Sequence, residues 1–600
     1  MPDARAPMLR FTFDGRPLDA PRGASVASAL MANGISSWRR TRSLGAARGL
    51  LCGIGSCFDC LVDVGDAHAV RACLTPLQDG DAVRTSASLG SSAIPPPHGA
   101  SSGPRSSEDG GPLRGDVLVI GGGPAGLSAA DAAVARGVSV VLVDNAHRLG
   151  GQLLRQPSSD EAGGVAPLGP RLTARYPRLA GAPALFVATG SAVWQLRTGP
   201  HGVAGWLEDG RRVEATAVVL APGATELVAP FPGWDLPGVV TAGGAQALLS
   251  AHDQLVGRRL LVAGSGPLLF AVAAHLADAG ADVLGVVEAL PARRLVAMMA
   301  ALARYPMKAA EAATYIASLG QKGVGVRTGS VLARCEPGRR GAVSRAVVVP
   351  TAQDGHGGFR PWARRGRVYD VDAVCISFGF VPRLELARQL GLDEARLPDQ
   401  QFSAVACDGT QATSVAGVFA AGEVTGIAGG EAAALEGAVA GASAAAYCKG
   451  DGSRWGGGGE PVAPTERKLL QARRFAGRLA RVYRTAVPLE LITDETVICR
   501  CEDVRADAIF AALAAGAATA REVRNVTRCG MGYCQGRTCG PLVQLVMKAA
   551  RGSSMLQIGD FQKRPVVSPV TLEVVARSAL PERPGEADRQ DGEPCARAPK

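Results

Sequence analysis

Residues 116–144, DVLVIGGGPAGLSAADAAVARGVSVVLVD, decide the fold of the central part of the chain. An apolar strand runs into Gly121, Gly123 and Gly126, a helix follows, and a second apolar strand ends at Asp144. In such a β-α-β unit the first glycine makes a tight turn, the second lets a pyrophosphate approach the backbone, and the third lets helix and strand pack closely. The helix N-terminus faces the phosphates, and an acid about 20 residues further on accepts a hydrogen bond from a ribose hydroxyl. The stretch therefore predicts a Rossmann-like unit that binds a dinucleotide.

A second stretch, residues 259–288, has the same β-α-β pattern with an altered glycine motif. Gly264 and Gly266 are present, whereas Leu269 replaces the third glycine, which argues against close helix packing and against nucleotide binding. Glu288 at the strand end disfavours a 2′-phosphate, so NAD is preferred over NADP if the unit binds a pyridine nucleotide. The sequence leaves two interpretations open, an NAD site or a retained scaffold.

The bulk composition is that of an ordinary globular chain. It has 600 residues, 47% of them hydrophobic and 20% charged, and this length predicts several domains. The N-terminus lacks the apolar core of a signal peptide and no run of about 18 apolar residues follows. We therefore expect a cytoplasmic protein without a membrane span, with association at the inner face of the cell membrane left open. The net charge of +10 comes from scattered arginines rather than a basic block, so we expect no nucleic-acid partner.

Fourteen cysteines carry more information than the charge. In a reducing cytoplasm, clustered cysteines are metal ligands or redox groups rather than disulfides. Cys52, Cys57 and Cys60 have the C-x4-C-x2-C spacing of a plant-type [2Fe–2S] loop. Gly53 and Gly55 let that loop wrap inorganic sulfide and donate backbone N–H groups to it. Zinc is the alternative, although structural zinc sites favour C-x2-C pairs.

Changes in composition divide the chain into folded units and loose segments. Alternating strands and helices indicate an α/β centre, and segments rich in Pro, Gly and Ser indicate linkers. The predicted units, in chain order, are a domain with the first cysteine loop (8–90), a flexible linker (91–114), an α/β oxidoreductase domain (115–450) with its NAD-like insertion (about 245–375), a second linker (451–488), a small domain with the second cysteine group (489–556) and a largely disordered tail (557–600).

Two further stretches resemble the two-dinucleotide-binding flavoproteins. Residues 413–426, TSVAGVFAAGEVTG, resemble that family's second flavin motif, in which an acid, here Glu423, holds the ribityl chain. Residues 217–226, AVVLAPGATE, resemble its crossover between the flavin and pyridine-nucleotide domains. The resemblance implies FAD as the ligand. The implied FAD-binding residues are Gly121, Gly123, Pro124, Ala125, Gly126, Asp144, Gly151, Gln152, Gly422 and Glu423.

The remaining cluster ligands also come from resemblance. Cys73 is the implied fourth ligand of the first cluster, and it follows more closely than in plant-type ferredoxins, a departure shared with the short ferredoxin domains of bacterial amine and opine oxidases. Residues 497–504 (VICRCEDV) and 527–540 (TRCGMGYCQGRTCG) resemble the BFD-like [2Fe–2S] domain attached to flavoprotein dehydrogenases. In that domain the place of Cys529 is held by various residues, so it is left out. The implied ligands of the second cluster are Cys499, Cys501, Cys534 and Cys539.

Taken in order, these domains resemble the α-type subunits of hydrogen cyanide synthase, of octopine and nopaline oxidase, and of those D-hydroxyproline or proline dehydrogenases that consist of several subunits. The implied fold is a two-dinucleotide-binding α/β flavoprotein between an N-terminal β-grasp ferredoxin-like domain and a C-terminal, small helical [2Fe–2S] domain. The implied cofactors are FAD and two [2Fe–2S] clusters. In the resembling complexes a β subunit with its own FAD oxidises the substrate, so the resemblance implies a hetero-oligomer in which this chain passes electrons to a quinone or dye.

No set of residues suited to oxidising a substrate stands out in this chain, and we predict no catalytic residue. His275 has the setting of a structural helix residue, and His68 lies in the ferredoxin-like unit. Cys335 and Cys375 have no near cysteine partner, which argues against a disulfide reductase. Two other functions stay open: a self-sufficient NADH-dependent reductase, and a redox-sensing protein that carries its clusters without steady-state electron transfer.

Overall fold

The computed structural model describes most of the chain in thirteen segments. The described residues are 8–86, 112–158, 167–200, 202–302, 305–353, 359–361, 366–397, 400–450, 463–483, 488–552, 555–559, 561 and 566–578. The expected linker at 91–114 lies almost entirely outside them. Among these residues no helix is long and apolar enough to cross a bilayer.

The N-terminal domain is a five-stranded sheet in the order β2-β1-β7-β5-β6 with one helix against it. Its elements are β1 (Met8–Phe13), β2 (Arg16–Pro21), α1 (Val26–Ala32), β3 (Arg39–Arg40), β4 (Ala47–Arg48), β5 (Leu61–Val64), β6 (Ala67–Arg71) and β7 (Ala82–Thr85). Helix α1 begins where the Ser25 hydroxyl accepts a hydrogen bond from the Ser28 N–H at 3.2 Å, as expected for an N-cap. The first cysteine loop connects β4 to β5.

The flavin-type unit follows. Its first elements are β8 (Leu113–Ile120), α2 (Pro124–Val134), β9 (Val140–Val143), α3 (Pro170–Arg175), β10 (Leu185–Ala188), β11 (Val193–Gly199), β12 (Gly202–Leu207) and β13 (Arg212–Leu220). Strands β8 and β9 are almost wholly apolar at their buried ends and pair in parallel, as expected for a sheet covered on both faces.

The second α/β unit is inserted between β13 and the end of the flavin-type unit. Its elements are β14 (Ala224–Glu226), β15 (Val239–Thr241), α4 (Ala242–His252), β16 (Arg259–Gly264), α5 (Leu268–Asp278), β17 (Asp282–Glu288), α6 (Ala292–Leu302), α7 (Pro306–Gln321), β18 (Val326–Thr328), β19 (Ser330–Pro337), β20 (Val343–Gln353), β21 (Phe359–Pro361), β22 (Arg367–Asp370), β23 (Ala373–Ser377) and β24 (Phe380–Pro382). A parallel sheet in the order β15-β23-β16-β17-β18 forms its centre.

The chain then returns to the flavin-type unit and closes it. The returning elements are α8 (Glu385–Gln389), β25 (Glu394–Arg396), β26 (Ser403–Val405), β27 (Val418–Ala420) and α9 (Gly430–Cys448). Strand β27 pairs with β13, which completes a seven-stranded sheet. Helix α9 packs on α2 so closely that a Cβ at Gly437 or Gly441 would overlap the carbonyl oxygen of Ala125 or Ala129. Glycine is therefore required at these two positions of α9.

A long helix lies where the sequence predicts a linker at 451–488, and that part of the prediction is wrong. Helix α10 (Ala463–Tyr483) buries Leu469 and packs the Phe475 ring on Tyr305. Its Arg473 forms an ion pair with the buried Glu436 of α9 at 2.8 Å. The helix is amphipathic, so it gains stability by covering the flavin-type and second units rather than from its own propensity.

The C-terminal domain consists of a short hairpin and small helices. Its elements are β28 (Val497–Cys499), β29 (Val504–Arg505), α11 (Ala506–Ala514), α12 (Ala520–Thr527), α13 (Cys539–Arg551), α14 (Met555–Ile558) and α15 (Leu572–Arg577). The expectation of a largely disordered tail after residue 556 is wrong for the described part. The Phe561 ring fills the space left by Gly530, Gly536 and Gly540, and Val567 is buried against the flavin-type unit.

We expect Gly441→Ala to destabilise the protein by about 1–3 kcal/mol, because the added methyl group forces α2 and α9 apart. Gly320→Ala in α7 is the matched control, since a Cβ there meets nothing within 4 Å and alanine favours a helix. Thermal unfolding of the two variants measures the difference. Equal stability of Gly441→Ala and Gly320→Ala would contradict the close packing of α2 on α9.

Candidate flavin and iron–sulfur sites

The glycine loop after β8 is shaped for a phosphate group. Gly121 has φ +105°, and a Cβ there would overlap the carbonyl oxygen of Ala221. A Cβ at Gly126 would overlap the carbonyl oxygen of Gly121, so the start of α2 sits directly on the strand end. At Gly123, by contrast, a Cβ would meet nothing nearer than the Cα of Gly151 at 3.8 Å. The open space therefore lies at the second glycine, where a pyrophosphate approaches the backbone in dinucleotide sites.

Asp144 follows β9 directly and braces this loop. Its Oδ2 accepts a hydrogen bond from the Gly122 N–H at 2.6 Å, and its Oδ1 accepts one from the Ala146 N–H at 2.7 Å. Burial raises the pKa of Asp144, while the two N–H donors act in the opposite direction. The carboxylate thus holds the loop in shape, and its contact with a ribose remains a prediction.

Glu423 offers the clearest space for a polar ligand. Strand β27 brings it to the same sheet edge as the glycine loop, because β27 and β8 both pair in parallel with β13. Its Oε1 accepts a hydrogen bond from the Gly429 N–H at 2.8 Å, whereas Oε2 is buried without a partner among the described residues. Burial raises the pKa of Glu423 to about 7. An unpartnered buried carboxylate oxygen fits a hydroxyl donor such as the ribityl chain of a flavin.

The other predicted flavin residues occupy the rim of the same cleft. Pro124 is the first residue of α2, and Ala125 contacts Gly422, where φ is +82°. Gly151 packs against Gly123. Gln152 is exposed, and its Oε1 accepts a hydrogen bond from Arg155 at 2.8 Å.

The first cysteine loop is buried and arranged in pairs. Cys52 interacts directly with Cys57, and Cys60 with Cys73. The backbone N–H groups of the loop point at the Cys52 sulfur, with the Cys57 N–H at 3.4 Å. The Cys57 thiol and these N–H donors lower the pKa of Cys52 to about 6. Two thiol pairs fit a two-iron cluster with two cysteines on each iron, and the N–H donors fit its negative charge.

The second cysteine group forms two pairs as well. Cys499 interacts directly with Cys539, and Cys501 with Cys534. Cys529 is fully buried, and its Sγ and those of Cys499 and Cys539 all lie within 4.8 Å of one another. The structure thus places beside the first pair a fifth thiol that the motif left out. The pairs themselves fit a second [2Fe–2S] cluster.

The first cysteine loop lies against the crossover between the two α/β units. The Thr241 N–H, at the start of α4, donates to the carbonyl oxygen of Leu51 at 2.9 Å. Gly53 packs on the backbone of Gly244, where a Cβ would come within 2.9 Å of the carbonyl oxygen. No sequence motif indicated this contact, because it joins segments about 190 residues apart.

The second nucleotide-type loop is closed by its own acid. Glu288 is 0% exposed and accepts hydrogen bonds from the Gly266 N–H at 3.0 Å, the Leu290 N–H at 2.9 Å and the Ser265 hydroxyl at 2.9 Å. Burial raises the pKa of Glu288 to about 7. Tyr483 at the end of α10 lies close enough for Glu288 to raise its pKa further. Within the described chain, Glu288 therefore has no free face toward a ribose.

The isolated cysteines do not form a reactive pair with the flavin-type unit. Cys335 and Cys375 are both buried among apolar side chains, and burial raises the pKa of each thiol, that of Cys375 to about 12. Neither is bonded to another cysteine. This arrangement lacks the reactive thiols of a disulfide reductase.

Comparison with protein families assigns all three folded parts. The model described as pyridine nucleotide-disulphide oxidoreductase matches residues 115–446. The 2Fe-2S iron-sulfur cluster binding domain matches residues 6–88, and the BFD-like [2Fe-2S] binding domain matches residues 497–549. These matches confirm the predicted fold class, a flavin-type centre and two [2Fe–2S] domains.

Several curated proteins are similar over most of the chain. A subunit of opine oxidase from Agrobacterium tumefaciens (strain Ach5) is 31% identical over 77% of this chain and 91% of its own length. Hydrogen cyanide synthase subunit HcnB of Pseudomonas aeruginosa is 32% identical over 70% of this chain and 90% of its own length. The alpha subunit of sarcosine oxidase from a Corynebacterium species (strain U-96) is 28% identical over 64% of this chain but only 38% of its own length.

One solved structure shares the whole architecture. L-proline dehydrogenase from P. horikoshii superposes with a TM-score of 0.65, at 19% identity, over 96% of this chain and 98% of its own. The predicted resemblance and oxidoreductase activity are thereby confirmed. The chain belongs to the family of flavin oxidoreductases with [2Fe–2S] domains that includes these subunits of opine oxidase and hydrogen cyanide synthase.

Proposed function

We propose that this chain is the electron-transfer subunit of a dehydrogenase or oxidase of several subunits that acts on an amino acid, imino acid or opine. It receives electrons from a partner subunit with its own FAD and passes them to an acceptor such as a quinone. The relatives are themselves named as subunits, which supports a hetero-oligomer. The observation that carries the proposal is the burial of both cysteine loops in one continuous core with the second α/β unit.

The bound groups are assigned from the geometry of the two sheet edges and loops. FAD lies in the cleft between the glycine loop and Glu423, and each cysteine loop holds one [2Fe–2S] cluster. A flavin exchanges electrons in pairs or singly and a [2Fe–2S] cluster carries one, so the three groups together convert a two-electron donor into one-electron steps. The assigned residues are Gly121, Gly123, Pro124, Ala125, Gly126, Asp144, Gly151, Gln152, Gly422 and Glu423 for FAD, and Cys52, Cys57, Cys60, Cys73, Cys499, Cys501, Cys534 and Cys539 for iron.

The two histidines considered as candidates have ordinary structural surroundings. The His275 Nδ1 lies 2.9 Å from the Gln246 side-chain oxygen, and its ring packs edge-on against Tyr315. His68 is half exposed and pairs with Asp63 at 3.3 Å. Neither touches the flavin cleft or a cysteine pair, which supports oxidation of the substrate in a partner subunit.

The alternative function is a reductase that takes electrons from NADH at the second α/β unit. In its favour, Gly264 and Gly266 keep the backbone geometry of a nucleotide loop, with φ +144° and +131°. Against it, the Glu288 carboxylate uses its oxygens on its own loop and is fully buried. NADH could reach Glu288 only by displacing these internal hydrogen bonds.

We expect Cys534→Ser to lose about half of the bound iron, because each [2Fe–2S] cluster needs four ligands. The assembled complex should then lose dye-linked dehydrogenase activity. Cys529→Ser is the matched control: it removes a buried thiol a few residues away and should keep both clusters. Iron analysis and EPR spectra of the two variants decide the ligand set. Loss of the cluster in Cys529→Ser with retention in Cys534→Ser would contradict it.

We also expect NADH to leave the purified chain oxidised, since the Glu288 carboxylate is closed off by its own loop. Flavin absorbance, recorded without oxygen before and after NADH is added, measures this. Dithionite added to the same sample is the positive control. Bleaching by NADH alone would establish the reductase alternative and refute the closed second site.

A further inference from the structure

A single ion pair joins the two cysteine loops. Asp59 lies between the second and third cysteines of the first loop, and Arg500 lies between Cys499 and Cys501 of the second. The Arg500 Nε donates to the Asp59 Oδ2 at 2.6 Å, and the two side chains are 3% and 1% exposed. The loops, which are 441 positions apart in the chain, are therefore in direct contact through their ligand-bearing turns.

Neighbouring groups fix the position of Arg500 on several sides. Its guanidinium donates to the carbonyl oxygen of Trp234 at 2.9 Å and lies 4.9 Å from the centroid of that indole ring. Arg48 of the N-terminal domain donates to the Arg500 carbonyl oxygen at 3.3 Å and to Asp503 Oδ1 at 3.0 Å. Residues of three domains thus hold the pair in one geometry.

The charges around the pair are balanced. The charged groups that surround Asp59 and Arg500 are Arg39, Arg48, Asp235 and Asp503. The Asp59 Oδ1 accepts no hydrogen bond from the described residues, and the Arg39 guanidinium lies 3.8 Å from it. A buried ion pair contributes little net stability once desolvation is counted. Its position between two clusters gives it a different use.

The pair also gives a short covalent and hydrogen-bonded connection between the clusters. The Asp59 N–H donates to the Cys57 Sγ at 3.5 Å. From the Asp59 side chain the connection crosses one 2.6 Å hydrogen bond to Arg500, whose backbone leads directly to Cys501. A connection with only two hydrogen bonds therefore joins a sulfur ligand of one cluster to a ligand of the other.

We propose that electrons pass directly between the two clusters at the Asp59–Arg500 contact and that this pair sets the difference between their midpoint potentials. The inference rests on the proposed function, in which both loops carry a [2Fe–2S] cluster. In each transfer one reduced cluster loses an electron and the oxidised cluster of the other loop gains it; no bond forms or breaks and no proton moves. Asp59 and Arg500 are positioning residues for this transfer.

The test is a redox titration of the full chain with dithionite and mediators, followed by EPR. In Arg500→Gln a positive charge is lost and Asp59 is left unpaired, so both midpoint potentials should fall, by about tenfold in the oxidised-to-reduced ratio or about 59 mV for one electron. In Asp59→Asn the potentials should rise, because the guanidinium is left uncompensated. A folding defect alone would not move the potentials in opposite directions.

Two further variants keep the test decisive. Arg500→Lys retains the charge and should keep potentials near those of the native chain even where Arg500→Gln loses iron. Arg528→Gln is the control for a nearby charge, because Arg528 is 62% exposed in its ion pair with Glu502 and solvent screens it. Its potentials should shift less than those of Arg500→Gln.

The native chain with both clusters reduced should also show magnetic interaction between them. Independent EPR signals, unchanged potentials, or shifts of the same sign in Arg500→Gln and Asp59→Asn would overturn the inference. These titrations need neither the partner nor an amine. A chain that shows the opposite shifts but accepts no electrons from any partner would refute the proposed function and leave the role of the ion pair standing.

Discussion

The buried contact between the two cysteine loops is the constraint on which the arrangement of the domains depends. Trp234 of the second α/β unit donates its indole N–H to the carbonyl oxygen of Val497, and Arg48 reaches from the N-terminal domain into the same junction. Phe58, Ile498 and Trp234 belong to one continuous core, although they come from three domains. Because charged and thiol-bearing loops are costly to bury unless they are paired or bonded, each domain must be in place before the others can close over them. The cluster sites and the domain interfaces are therefore parts of the same structure.

The two dinucleotide-type units show how one fold can retain a site or close it. In both, an acid at a strand end accepts a hydrogen bond from the backbone of the glycine loop: Asp144 from Gly122, and Glu288 from Gly266. The flavin-type loop keeps open space at Gly123 and an unpartnered Glu423 oxygen nearby, among the residues that the structure describes. In the second unit the acid is completely buried. The backbone thus keeps its shape between the units, while access to the acid separates a ligand cleft from a scaffold.

Local spacing predicted the parts of this protein that local spacing determines. The glycine motif of residues 116–144 and the C-x4-C-x2-C loop each require particular residues within a short stretch, so their fold could be predicted without a structure. Helix α10 was missed because glycine-rich sequence precedes it and its partners, such as Glu436, come from another element. The packing of Phe561 and the Asp59–Arg500 pair depend on residues far apart in the chain, and no periodicity records them. The position of Cys529 beside two ligand candidates likewise emerges only when both ends of the C-terminal domain are folded together.

The central claim, that this chain relays electrons it receives from a partner, is tested most directly by a reductive titration of the assembled complex. The chain would be purified with its amine-oxidising partner, and the flavin absorbance and the EPR signals of both clusters recorded without oxygen as candidate imino acids and opines are added. The account predicts that flavin and both clusters become reduced when partner and substrate are present together, and that neither the partner nor the substrate alone suffices. Reduction of the isolated chain by the substrate would contradict it, because the substrate would then be oxidised within this chain.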